Sequence, residues 1–430
     1  MKPAIVVTVC IIVLFCLFTV TFQWYFNPSR LPQKSDEEII EECIANLGRN
    51  NGAKYYLMAC LRLADSLDDD AILELLESVM ENGWQEEYPD LERYIGENGP
   101  ALELVREGAK QEFCSIPIAE SFSDTSSMLY LSGFRHIARL LIAEAKLFEK
   151  NAEYDRAAET YTTLLRFAAS ISSGTIIHTF VGIAIERWAY KAMGPYLTEL
   201  KEEKICESLL AKLLDIENNR AQLTELLRDE FSHEREMNKS LEKEWLYFRD
   251  TTVNPTVIDY FVDTTRKAGG YLLVRLYMFK SKRAMEEFHE LILEASERSY
   301  PEIFSSNLKD KIPDDKVVQI LFGPIYKGIF TIGKGDVIRR GNIIKLALHL
   351  HLLRNGVYPD TLVELVPIVP AEILKDPFST ESFIYMRTDS GYVLYGVGPD
   401  MDDDGGREIE PPYSLDNDGD MVFVTARTVR

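Results

Sequence analysis

The chain has 430 residues, 46% hydrophobic and 27% charged, a composition that excludes wholesale disorder and is enough for roughly two or three domains. Its 69 acidic residues against 47 basic ones leave a formal charge of −22. Such a body repels nucleic acid and anionic lipid headgroups, so no nucleic-acid partner is expected, and cations or basic protein surfaces are favoured.

Ala4 to Phe26 is an almost unbroken apolar run ending in Trp24, Tyr25 and Phe26. It is long enough to cross about 30 Å of hydrocarbon as a helix, and the aromatic cluster suits a headgroup boundary. The apolar core runs into bulky aromatics rather than a small-x-small cleavage site. Residues 1–27 are therefore expected to be a retained signal anchor, a single transmembrane helix.

Residues 35–315 read as an α-helical body. Apolar residues recur three and four apart among good helix formers, with short turn signals between. Helices are expected over Asp36 to Leu47, Tyr55 to Leu67 and Asp70 to Asn82, and another begins at Asn98-Gly99-Pro100. Residues 139–169 read as a helical hairpin broken at Asn151-Ala152, with Tyr154, Ala157, Tyr161 and Leu164 on one face of the second helix. That order resembles a tetratricopeptide helix pair, in a single copy, and an ordinary packed hairpin has the same signature. Ile176 to Tyr190 is apolar nearly all round and belongs in the core, where His178 and Glu186 are expected as hydrogen-bonded residues. Asp215 to Trp245 reads as one long, partly exposed amphipathic helix, and Tyr271 to Ser296 as another. Pro301 and the Lys309 to Asp315 stretch mark a loop and a domain boundary.

The pattern changes at residues 333–430. Asp336 to Arg354 reads as a helix closed by Asn355-Gly356, with a short helix starting at Tyr358-Pro359 and a turn at Asp376-Pro377-Phe378. Strands are expected over Ser382 to Met386, Tyr392 to Val397 and Met421 to Ala426, which makes this unit α+β and the chain as a whole mainly α.

Within it, Asp400, Asp402 and Asp404 alternate before Gly405-Gly406, and Asp416, Asp418 and Asp420 alternate around Gly419. Calcium takes six to eight oxygens in flexible geometry, and glycine lets the backbone bend round the ion. The first triplet opens like an EF-hand loop, but Pro411 stands where the distal acid belongs, so one Ca2+ shared by both segments is the expectation; a solvated acidic loop is the alternative.

The order helix, Asn355-Gly356-x-Tyr358-Pro359, Leu362, Leu365, Asp376-Pro377-Phe378, then Leu394-Tyr395-Gly396-Val397-Gly398 and an acidic loop resembles the globular domain of type II secretion major pseudopilins. The resemblance implies a structural calcium in that loop, held by Asp400, Asp402, Asp416, Asp418 and further by Asp404 and Asp420. The chain lacks the pseudopilin leader pattern, and a long helical body separates anchor from domain, so a fibre-forming pilin is not expected. As a whole it looks like membrane-anchored bacterial proteins that carry such a domain behind a helical body. This implies a single-pass inner-membrane protein with its body outside the cytoplasm, non-catalytic, contacting a protein partner in secretion or surface assembly.

Glu230-x-x-His233 and Glu286-x-x-His289 have the spacing of di-iron bundles, the basis of an alternative metal-dependent or hydrolytic enzyme with its site in the helical body. His349 and His351 fall on different helix faces. Cys43 and Cys60 would bridge two helices in an oxidising compartment, or be small buried hydrophobes.

Overall fold

The computed structural model describes residues 36–48, 50–64, 70–117, 126–236, 281–389, 391–409 and 419–424. The expected anchor, Ala4 to Phe26, lies outside them, and no described helix is long and apolar enough to cross a membrane.

The described chain is mainly helical, with one small antiparallel sheet at its end. α1 (Asp36–Asn46), α2 (Gly52–Cys60), α3 (Asp70–Asn82), α4 (Pro89–Glu97) and α5 (Gly99–Ala109) form the first layer. α2 stops short of the expected Leu67. Asn98 does not cap α5 with its side chain; its Oδ1 accepts from Ala64 N at 3.1 Å and its Nδ2 donates to Tyr94 O at 2.9 Å. The fully buried amide thus ties the chain after α2 to α4. No disulfide joins Cys43 and Cys60.

The centre is α6 (Ser126–Lys150), α7 (Tyr154–Ile171) and α8 (Ile176–Glu199). The hairpin turns where expected, with Ala152 in the left-handed region at φ 56°. Ala157, Tyr161 and Leu164 are completely buried on one face of α7. Tyr161 Oη donates to Glu149 Oε1 at 2.5 Å, which satisfies the phenol inside the apolar layer. α8 continues past Tyr190 and is buried on most sides, as its uniform apolarity demands.

The reading of Asp215 to Trp245 as one helix is corrected. α9 (Glu203–Asn218) ends, and α10 (residues 223–236) begins after a break. Asn219 Nδ2 donates to the Asp215 carbonyl at 2.8 Å, closing α9, and Arg220 turns inward beside Glu186 and Glu217. Residues 237–280 are outside the described part, and α11 (residues 281–296) packs Phe288 and Ile292 against Phe231 of α10.

α12 (Tyr300–Ser305) opens with a capping box between Ser299 and Glu302. The last helix, α13, runs Lys316–Asn355 and so begins well before the expected Asp336. Two of its glycines, Gly333 and Gly341, serve close packing. A Cβ on Gly333 would stand 3.0 Å from Phe378 and 3.1 Å from Tyr300, and one on Gly341 would collide with the outer edge of the Phe423 ring. α13 touches α8 and α9 on one side and β2 and β3 on the other, so it carries the C-terminal unit on the helical core.

After Gly356 (φ 73°) the expected short helix is a 3-10 turn, Leu362–Leu365. The sheet has strands β1 (Ile384–Thr388), β2 (Gly391–Gly396) and β3 (Met421–Val424), ordered β1-β2-β3. β1 pairs Met386 with Val393, and β2 pairs Tyr395 with Val422. Asp376 is buried, its Oδ1 accepting from Phe378 N at 2.9 Å and its Oδ2 from Val397 N at 2.8 Å. The Asp-Pro-Phe turn is therefore a clamp on the end of β2.

Candidate metal centre in the C-terminal acidic loop

β2 leaves the sheet through Gly398 at φ 70°, whose backbone lies so close to the Gly419 carbonyl that no Cβ would fit. The chain returns through Gly405 (φ 70°) and Gly406 (φ 81°), again in the left-handed region that glycine adopts without strain. Asp420 N donates to Arg407 O at 2.7 Å and Ile409 N to Asp420 O at 3.2 Å, closing the loop at its base.

This turn gathers Asp400, Asp402 and Asp404 so that one carboxylate oxygen from each lies within 4.8 Å of the others. Asp402 is exposed, whereas Asp400 and Asp404 are half-buried. Asp400 Oδ2 accepts from Gly419 N at 2.7 Å, and Asp404 Oδ1 from Arg407 Nη2 at 2.5 Å. The second oxygens, Asp400 Oδ1 and Asp404 Oδ2, are buried with no hydrogen-bond partner. Buried lone pairs left without a donor are costly, and a cation satisfies them where nothing else does. Burial pushes the Asp400 carboxyl above the ordinary range and the neighbouring Asp402 and Asp404 carboxylates push the same way, against the Gly419 and Asp402 amides. Like charges held this close favour either a proton or a divalent ion.

Asp420 has a different place from the one its spacing suggests. It is completely buried, and its Oδ2 accepts from Gly406 N at 2.6 Å and its Oδ1 from Asp404 N at 3.4 Å. It braces the loop backbone that presents Asp404. Burial again raises its carboxyl, with the Gly406 and Asp404 amides opposing. Asp416 and Asp418 lie outside the described residues.

Asp403 was not singled out in the sequence because it breaks the alternation. Its Oδ1 accepts from Tyr395 Oη at 3.0 Å and from Gly405 N at 2.9 Å, which fastens the loop to the sheet. Burial, followed by the Asp403 carboxylate, pushes the Tyr395 phenol up to about 12.

The Glu-x-x-His pairs do not converge. Glu230 Oε2 accepts from the Ile176 amide at the start of α8 at 2.8 Å, and Glu286 is exposed. His289 pairs instead with Glu234 at 3.1 Å and stacks on Phe231 with ring centroids 4.0 Å apart. His349 Nε2 donates to Leu200 O and His351 Nδ1 to Val357 O, at 2.7 and 3.0 Å. Glu186 and His178 are core residues as expected: His178 bridges Thr175 at 2.7 Å and Tyr130 at 3.1 Å. Among the described residues, only Asp400, Asp402 and Asp404 come together at metal-ligand spacing.

No protein-family model matches the chain, and no curated protein or solved structure is significantly similar to it.

Proposed function

We propose that this is a non-catalytic, membrane-anchored protein of the bacterial envelope, with a calcium ion stabilising a C-terminal unit that contacts another protein. The observation that carries the reading is the pair of buried, unpartnered oxygens on Asp400 and Asp404, inside a cluster of three carboxylates. Calcium suits an all-oxygen donor set on a glycine-bent loop, whereas zinc or copper would favour the histidines and thiols that this loop lacks. In this reading Asp400, Asp402 and Asp404 hold the ion, with Asp416 and Asp418 as further ligands and Asp420 as the brace. The ion supplies charge neutralisation and cross-linking, not chemistry on a substrate. Calcium is plentiful outside the cytoplasm, which agrees with a body on that side of the inner membrane.

Exposed apolar side chains support a contact role for the same unit. Val357, Val363, Val366 and Met386 are 55%, 72%, 46% and 59% exposed. The proposal concerns a protein partner in secretion or surface assembly, as the pseudopilin resemblance implies.

Protease added to spheroplasts expressing the full chain tests both parts. The body should be digested from outside, with the C-terminal unit resistant in calcium and cut in chelator. A body protected until the cells are lysed, or a C-terminal unit equally resistant in both conditions, would overturn the proposal.

A further inference from the structure

The helical body contains a cleft of about 850 Å3, remote in sequence from the acidic loop. This is within the range of ligand-binding cavities. Its walls come from the loop after α5, from α7, α8 and α13, and from the break between α9 and α10.

Its rim carries Phe113, 60% exposed although the backbone beneath it is firmly held. The Phe113 carbonyl accepts from Gly52 N at 2.8 Å, and Asn51 Oδ1 takes the Ser115 amide at 3.0 Å. A rigid loop thus displays a phenyl ring to solvent, where packing does not require it.

Opposite charges on the walls are paired with one another. Arg166 Nη2 donates to Asp215 Oδ2 at 3.3 Å, and Arg220 Nε lies 3.6 Å from Glu217 Oε2 while its other end meets Glu186. Asn219 Nδ2 donates to Asp215 Oδ1 at 3.0 Å, and the Gln222 side chain joins the same wall. Such pairs fix planar donors and acceptors in place and cancel their net charge. The Arg220 Nε is buried with no hydrogen-bond acceptor, and burial beside Arg339 lowers the guanidinium's affinity for its proton.

A displayed aromatic ring above a charge-balanced set of planar polar groups suits a neutral ligand with an apolar face and many hydroxyls. Each hydroxyl both donates and accepts, so it can engage a carboxylate and a guanidinium or amide together. A multiply charged ligand would meet as much repulsion as attraction. The geometry points to a short neutral oligosaccharide bound in this cleft, one sugar stacked on Phe113 and its hydroxyls on Asn219, Gln222 and the Arg166–Asp215 pair.

The test is saturation-transfer NMR on the full chain in a non-glycosidic zwitterionic detergent. The probes are maltotriose, cellotriose, xylotriose and chitotriose, each on the order of 10 mM, with glycine and methyl phosphate as charged probes. At least one trisaccharide should show transfer. Phe113→Ala, which removes an exposed ring and leaves the backbone contacts intact, should weaken it on the order of tenfold, while Phe113→Trp retains it. The melting temperature of each variant reports that the fold is intact. Absence of transfer to all four sugars, transfer unchanged in Phe113→Ala, or transfer to glycine or methyl phosphate alone would overturn the inference.

Discussion

Arg339 of α13 donates from Nη1 to Glu186 Oε2 of α8 at 3.2 Å, and its Nε donates to Glu217 Oε2 of α9 at 3.0 Å. Its remaining nitrogen meets Asp336, one turn earlier on α13, whose other oxygen accepts from Tyr300 Oη at 2.7 Å. One buried guanidinium therefore joins three helices, and the helix it sits on carries the C-terminal sheet. Removing a single partner from a buried ion pair leaves the other charge uncompensated. Arg339→Ala should destabilise the chain by about 3–5 kcal/mol in urea denaturation, and Arg339→Lys, which keeps the charge but loses the fork, by less.

The seating of the sheet on α13 depends on the absence of a side chain at position 341. In Gly341→Ala the added methyl meets the Phe423 ring, which must swing away from α13. Overpacking of this kind costs about 1–3 kcal/mol. Hydrogen exchange should show faster exchange at 421–424 with little change in α6 and α7.

Much of this architecture is legible in the sequence, and the misses share a physical cause. Local signals carried the hairpin: Asn151-Ala152 interrupts a helical period, and the buried face of α7 follows from the spacing of Ala157, Tyr161 and Leu164. The Asp376 turn and the strands of the sheet were likewise local patterns. Gly333 reads as a change of pattern because intrinsic propensity disfavours glycine, yet the distant Phe378 and Tyr300 need the space. The break between α9 and α10 was hidden for the same reason, since Arg220 turns inward towards Glu186, a residue of another helix. At the acidic loop, alternation located Asp400, Asp402 and Asp404 but could not separate a ligand from a brace. Asp420 is buried and bonded to the loop amides, and Asp403, bonded to Tyr395, lies outside the pattern altogether.

The loop should respond to pH in a direction fixed by its carboxyls. Asp400 and Asp420 are both raised in the folded chain, so the folded state binds protons more readily than the unfolded one. Without calcium, their contribution to stability is most favourable at low pH and is lost as pH rises through the folded values. Asp400→Asn should therefore raise the melting temperature of the chain in chelator at neutral pH and flatten its pH dependence in the carboxylate range. In calcium the same variant should melt lower than the unsubstituted chain. A variant that melts lower in both conditions would contradict this account of the loop.

The buried histidines act in the opposite sense. Burial lowers His136 and His178 to about 4, from 6.5. Their contribution to stability is complete above 6.5 and falls as pH drops from there to about 4, because the unfolded chain takes up protons first. His136 is bonded through Nε2 to Tyr94 Oη at 2.8 Å, so His136→Gln should reduce the slope of stability against pH over that interval. The measurement is urea denaturation in a series of buffers.

Calorimetric titration of calcium into the full chain, in detergent micelles and after treatment with chelator, tests the central claim most directly. The account predicts saturable binding of a calcium ion that is abolished in the Asp400→Asn, Asp404→Asn double variant. Tight binding to the folded state alone must also raise its melting temperature, by about 2.7 kcal/mol of stability at a hundred times the dissociation constant. No heat of binding at millimolar calcium, or equal binding by the double variant, would contradict it and leave the acidic loop a solvated surface.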